Sequence, residues 1–170
     1  MNMKKTLTAA AIGTTLLCAP LSSLAATETG TFQVLLNLTA SCTINQATNL
    51  DFGSRTEAAV NTGGIISTSN IGVTCSTGTA YDIGLSGTNT SRNMTSVNGS
   101  SVAYELYQDA ANNTAWDNTS VQSATSNSSQ QGYTVYGLIP AQTATIDAAD
   151  NINGNTGVNL SDTVTVTVTF

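Results

Sequence analysis

Side chains able to do chemistry are few in this sequence. Its 170 residues hold ten carboxylates, four cations and no histidine. Without histidine, neither a Ser-His-Asp nor a Cys-His nucleophile can be assembled. Asp51, Asp82, Glu105, Asp109 and Asp117 could supply the carboxylate pair of a glycoside hydrolase, yet no spacing among them brings two together. Asp147 and Asp150, beside Asn151 and Asn153, invite a calcium loop. Their spacing is not that of an EF-hand, and the turn chemistry of Asp and Asn accounts for them better. No metal site is expected, because histidine and a CxxC spacing are both lacking. The chain is read as a non-enzyme that needs no cofactor.

The cysteines point elsewhere. Met1–Lys5 carries two lysines, and Thr6–Ala19 is an apolar run too short to span a bilayer as a retained helix. Ser23-Leu24-Ala25 then places small residues three and one before a cut after Ala25. Residues 1–25 are therefore expected to be a signal peptide, with no retained membrane span, and residues 26–170 to be one exported domain. Cys18 leaves with the signal. Cys42 and Cys75 remain as an even pair in an oxidising compartment, where a disulfide is expected over two buried free thiols. The cut also removes Lys4 and Lys5. Two arginines, Arg55 and Arg92, then face ten acids, for a net charge of −8. Such a surface repels phosphate, so nucleic acid is not expected as a partner.

The elements that must carry these residues read as strands. Tyr81, Ile83 and Leu85 alternate with polar neighbours. So do Val102, Tyr104 and Leu106, and again Tyr133, Val135, Gly137 and Ile139. The closing "DTVTVTVTF" sets Val164, Val166, Val168 and Phe170 on one face and threonines on the other. Gly, Asn and Ser clusters separate the runs. No segment after residue 25 shows a helical period, and the Ala-rich stretch near Ala110 reads as loop. Residues 112–131 and 144–159 read as long polar loops. Asn-x-Ser/Thr triplets follow from composition, most plainly at Asn37, which lies inside a predicted strand. Six or seven short strands of this kind predict an all-β antiparallel sandwich.

One strand is out of place. In "TGTFQVLLNLTASC", Phe32, Val34, Leu36 and Leu38 alternate with Thr31, Gln33, Leu35 and Asn37, at a position where order is usually lost. The pattern alone fits two arrangements equally well. The segment is either the first strand of a complete sandwich or a strand offered to another chain.

The ordered set of "CTI" at Cys42–Ile44, "LDFG" at Leu50–Gly53, "IGVTCSTGTAYDIGLSG" at Ile71–Gly87, "RNM" at Arg92–Met94, "YELYQD" at Tyr104–Asp109, Trp116, "YTVYGLIP" at Tyr133–Pro140 and the terminal "DTVTVTVTF" resembles the spore coat U domain family, especially pilin subunits of archaic chaperone-usher pili. Two departures stand out. Asp117 follows Trp116 where glycine is usual, and the segment before Asp162 is longer and lacks an aromatic. The resemblance implies an incomplete immunoglobulin-like sandwich at residues 42–170, missing its last strand, preceded by a donor segment at residues 26–41. It implies that Thr31–Ala40 is the donor strand, with Phe32, Val34, Leu36 and Leu38 as its plugs. It also implies that Val164, Val166, Val168 and Phe170 belong to the strand at the edge of the acceptor groove. The partners implied are a periplasmic chaperone, an outer-membrane usher and neighbouring subunits in a homopolymer. The location implied is the cell surface, in a pilus serving attachment and biofilm formation. Two rival readings stay open: a non-filamentous coat protein, and a monomeric sandwich that stacks sugar on Trp116 and its tyrosines.

Overall fold

In the computed structural model, residues 26–150 and 157–170 are described. The expected signal peptide, residues 1–25, lies outside the described residues, as do Asn151 and Asn153. Nine strands follow in chain order: β1 (Cys42–Ala47), β2 (Ile65–Cys75), β3 (Ala80–Leu85), β4 (Asn93–Thr95), β5 (Ser101–Ala103), β6 (Glu105–Tyr107), β7 (Gln122–Thr125), β8 (Gln131–Ile139) and β9 (Val166–Thr169). One sheet has the order β1-β2-β8-β6, a second has the order β7-β3-β9, and β4 and β5 form a hairpin. Every pairing is antiparallel. Among the described residues, no helix is long and apolar enough to cross a membrane.

This is the sandwich that the alternation predicts. Each strand presents one apolar face, and the faces meet in a single cluster that includes Ile71, Val73, Ile83, Leu85, Leu106 and Val135. Burial of such side chains stabilises by about 1.5–3 kcal/mol each. The sheet orders match an immunoglobulin-type layout, A-B-E-D against C-F, with β1, β2, β8 and β6 in the first sheet and β3 and β9 in the second. No described strand occupies the G place beyond β9. The Cys42–Cys75 disulfide is present and joins directly opposed residues of β1 and β2. It closes a separation of 33 residues, for a loop-entropy contribution of about 3–4 kcal/mol.

Three features depart from the sequence reading. Glu57–Thr62 forms a helix, α1, where none was expected. Thr56 caps it, its hydroxyl accepting from the Ala59 N–H at 3.2 Å, and Val60 is buried beneath it. Six residues are too few to show a 3.6-residue period, so only the Thr-Glu cap pattern marked it. Residues 112–131 are not simply an exposed loop. They contain β7 and Trp116, which is 1% exposed and donates its indole N–H to the Ile83 carbonyl at 2.8 Å. The described residues 144–150 are likewise anchored. Ala144 is buried, Thr145 bridges to Ser101, and Ala148–Asp150 makes a 3-10 turn.

Gly63 ends α1 at φ +72°, and a Cβ there would stand 2.1 Å from the Ala141 backbone nitrogen. Gly63→Ala is expected to cost more than about 2 kcal/mol, through left-handed strain and the backbone clash together. A thermal midpoint equal to that of the parent chain would refute this close approach.

Candidate functional site

Among the described residues, β9 has a strand partner on one side only. β9 pairs with β3 through Asp82↔Thr169, Ile83↔Val168, Gly84↔Thr167 and Leu85↔Val166. One residue further along the same register, the Ser86 N–H donates to the Thr165 carbonyl at 2.9 Å. Bonded and non-bonded pairs alternate in an antiparallel ladder. Thr165, Thr167 and Thr169 therefore turn their backbone groups toward β3, and Val164, Val166 and Val168 turn theirs to the open side. The valine side chains are half-buried against the core, and the threonine side chains are exposed. The same residues thus combine an apolar inner face with a free row of N–H and C=O groups.

Beside that row lies a cleft of about 540 Å³. Ile71 from β2, Leu85 from β3, Leu106 from β6 and Val135 from β8 supply its apolar floor, together with Phe52 and Tyr104. Leu160, Val164 and Val166 form one wall, and the segment from Ala47 to Phe52 forms the other. The cleft therefore lies in the position that a G strand would fill.

Its polar end is organised around Tyr104. The buried Tyr104 hydroxyl donates to Asp162 Oδ2 at 2.7 Å, and the Thr163 N–H donates to Asp162 Oδ1 at 2.7 Å. Burial first, and then the Asp162 carboxylate, push the Tyr104 hydroxyl up to about 12. Arg92 is also buried. Its Nη1 donates to the Ser86 carbonyl, its Nη2 donates to the Trp116 carbonyl at 3.1 Å, and its Nε has no protein partner. Its charge opposes part of the rise at Tyr104. Sequence reading named Val164 and Val166 for this site but missed the Tyr104–Asp162 contact, which joins residues 58 apart in the chain.

Each of the carboxylates considered for catalysis accepts hydrogen bonds within the fold. Asp51 accepts from the Gly53 N–H, Asp82 from the Ser123 hydroxyl, and Glu105 from the Tyr107 hydroxyl. Asp109 accepts from the backbone of Ala111, Asn113 and Thr114, bonds that hold its carboxyl below the usual range. Asp117 accepts from the Thr119 and Ser120 N–H groups, each at 2.7 Å, so aspartate after Trp116 closes a turn of its own. Asp150 accepts from Ser96, Asn98 and Ser100, and Asp147 accepts from the Ala149 N–H. The Asp147 contact is a turn contact, as the sequence suggested, whereas Asp150 reaches the loop of the β4–β5 hairpin, 50–54 residues away in the chain. Trp116 is enclosed, and Tyr81 and Tyr104 are buried, so none of these three offers a stacking face, while Tyr107, Tyr133 and Tyr136 are part-exposed.

The expected plugs have the opposite environment. Phe32, Val34, Leu36 and Leu38 are 80–87% exposed, and residues 26–41 carry no assigned strand. The expected edge strand, Thr163–Phe170, is laddered only over Val166–Thr169, and Phe170 is 58% exposed.

Residues 28–167 match the model of the Spore Coat Protein U domain. Among solved structures, the chain is similar to one from the CsuC–CsuE chaperone–tip adhesion subunit pre-assembly complex of the archaic chaperone-usher Csu pili of Acinetobacter baumannii. The identity is 22% and the TM-score 0.49, covering 78% of this chain and 40% of that one. No curated protein matches.

The raised Tyr104 hydroxyl makes stability depend on alkaline pH. The folded chain holds this proton more tightly than the unfolded chain does. Its contribution is therefore whole below about pH 10 and is lost as the pH climbs toward 12. The thermal midpoint is expected to fall across that window, and to fall less in Tyr104→Phe. Parallel curves for the two proteins would show that the contact is not energetically coupled to folding.

Proposed function

Because this chain belongs to the Spore Coat Protein U domain family, which its residues 28–167 match, we propose that it is a structural subunit of a chaperone-usher pilus, polymerising by donor-strand complementation. The observation that carries the reading is the unfilled strand place beside β9. A cleft lined by both apolar and polar side chains and a row of free backbone groups stand together there, in a chain that also carries a strand-length apolar segment in solvent. Strand addition uses both features: main-chain hydrogen bonds give affinity, and alternate side chains fill the cleft. Residues 26–41 are the donor segment, and Phe32, Val34, Leu36 and Leu38 are its plugs. Val164, Val166, Val168 and Phe170 form the receiving edge of the 42–170 domain.

The partners follow from the hazard. An open strand edge over an apolar cleft is a template for aggregation. A periplasmic chaperone covers it after export, an outer-membrane usher exchanges that cover for the next subunit's leading strand, and a homopolymer results. The signal at residues 1–25 starts this route. The product is a surface pilus for attachment and biofilm formation.

Replacing a plug with a charge tests the reading. Leu36→Asp and Leu38→Asp each place an unpaired carboxylate in the cleft, at a cost of about 3 kcal/mol or more per site, roughly a hundredfold in affinity. Each variant is expected to fold and to co-purify with its chaperone, yet to be absent from sheared filaments. Filaments at the parental level from the double variant would overturn the mechanism. Unchanged filaments on cells lacking the protein would favour a coat role instead.

A further inference from the structure

We propose a specific register for the strand that fills the cleft, with Asp162 as its stop. The inference rests on the strand-exchange reading above and names its pairing. A leading segment of a second copy lies antiparallel to β9, with Val34 opposite Val168, Leu36 opposite Val166, Leu38 opposite Val164, and Phe32 beside Phe170. Ala40 then faces Asp162.

Direction comes first. The Ser76 N–H donates to the Ser41 carbonyl at 2.9 Å, so β1 begins at the pole where the turn after Cys75 lies. β3 starts at the same pole, and its Asp82 pairs with Thr169, so β9 ends there too. The root of a subunit's own leading segment and the end of its β9 thus share one pole. A strand docked antiparallel to β9 runs from Phe170 toward Asp162 and leaves its own body at the far pole. Successive bodies then stack head to tail without closing. A parallel strand would put the incoming body at the pole the recipient's own segment must leave by.

Register follows from side chains. A slip of one residue turns every plug to solvent, so only slips of two compete. Of the β9 row, Val164 and Val166 are the two that line the cleft. The proposed register sets two leucines against them. A slip that brings Leu38 to Asp162 presses an apolar side chain on a carboxylate already held by Tyr104. Asp162 lines the cleft, and a carboxylate set there disfavours pairing of an apolar residue at its position. The opposite slip puts Ala40 against Val164 and leaves the cleft underfilled.

The threonines give the test, because they face solvent and sit at non-bonded positions of the new ladder. Cα atoms there are about 4.5 Å apart, within the range a disulfide spans. Thr167→Cys is combined in turn with Gln33→Cys, Leu35→Cys and Asn37→Cys, and filaments are recovered from the native host and run without reductant. The Leu35 pairing is expected to give a covalent ladder at least tenfold stronger than the other two. A dominant link from Gln33 or Asn37 overturns the register and leaves strand exchange standing. Filaments with no link in any pairing overturn both. In a second arm, Ala40→Leu is expected to lower filament yield at least fivefold, and Asp162→Leu added to it to restore the yield. An unchanged yield from Ala40→Leu overturns the stop.

Discussion

The whole arrangement turns on one asymmetry between main chain and side chain. The open backbone groups of Val164, Val166 and Val168 can be satisfied by water, but the cleft beside them cannot. Ile71, Leu85, Leu106 and Val135 at its floor are already buried, so the apolar surface left to cover is that of the half-buried Leu50, Met94, Leu160, Val164 and Val166, which gain nothing from hydration. With β9 at the edge of its sheet among the described residues, that place keeps a binding energy that a further strand would have used in folding. Backbone groups and apolar side chains brought together, as in an extended peptide, would satisfy both at once.

The rest of the domain holds this open edge in place. β3 is covered on both sides, by β7 and β9, and Trp116 fixes the Ile83 carbonyl from outside the ladder. The stretch before β9 is not laddered, yet it is held at intervals. Ser161 exchanges backbone bonds with Thr95, Tyr104 holds Asp162, and the Thr165 N–H donates to the Ser86 hydroxyl at 2.8 Å. The wall of the cleft is thus positioned by contacts from three separate parts of the chain.

That division also explains what could be read from residues alone. Strands with strict alternation were legible: Tyr81-Ile83-Leu85 became β3, Val135-Gly137-Ile139 became the inner face of β8, and the valine–threonine run supplied β9. The disulfide was legible because, with Cys18 assigned to the expected signal, Cys42 and Cys75 allow one pairing. The short helix was not, since six residues cannot show a period. Neither was β7, whose Gln-Ser-Ala-Thr has no apolar stripe and is held by its ladder to β3. The polar neighbourhood of Trp116 looked like loop, because the burial of one large ring leaves no periodic trace. The valine wall of the cleft was written in sequence; its polar end was a tertiary product, made where Tyr104 meets Asp162.

The position of the disulfide has a mechanical consequence. β1 contributes almost no buried side chain; apart from Cys42 its residues are exposed, and its ladder to β2 is what holds it. A strand so attached would peel from its end under tension, one pair of bonds at a time. The covalent bridge sits at that end, at the first residue after the leading segment. A pull arriving through Ser41 passes at once from Cys42 to Cys75 on β2, a strand paired on both sides, and the weakly held strand carries no load.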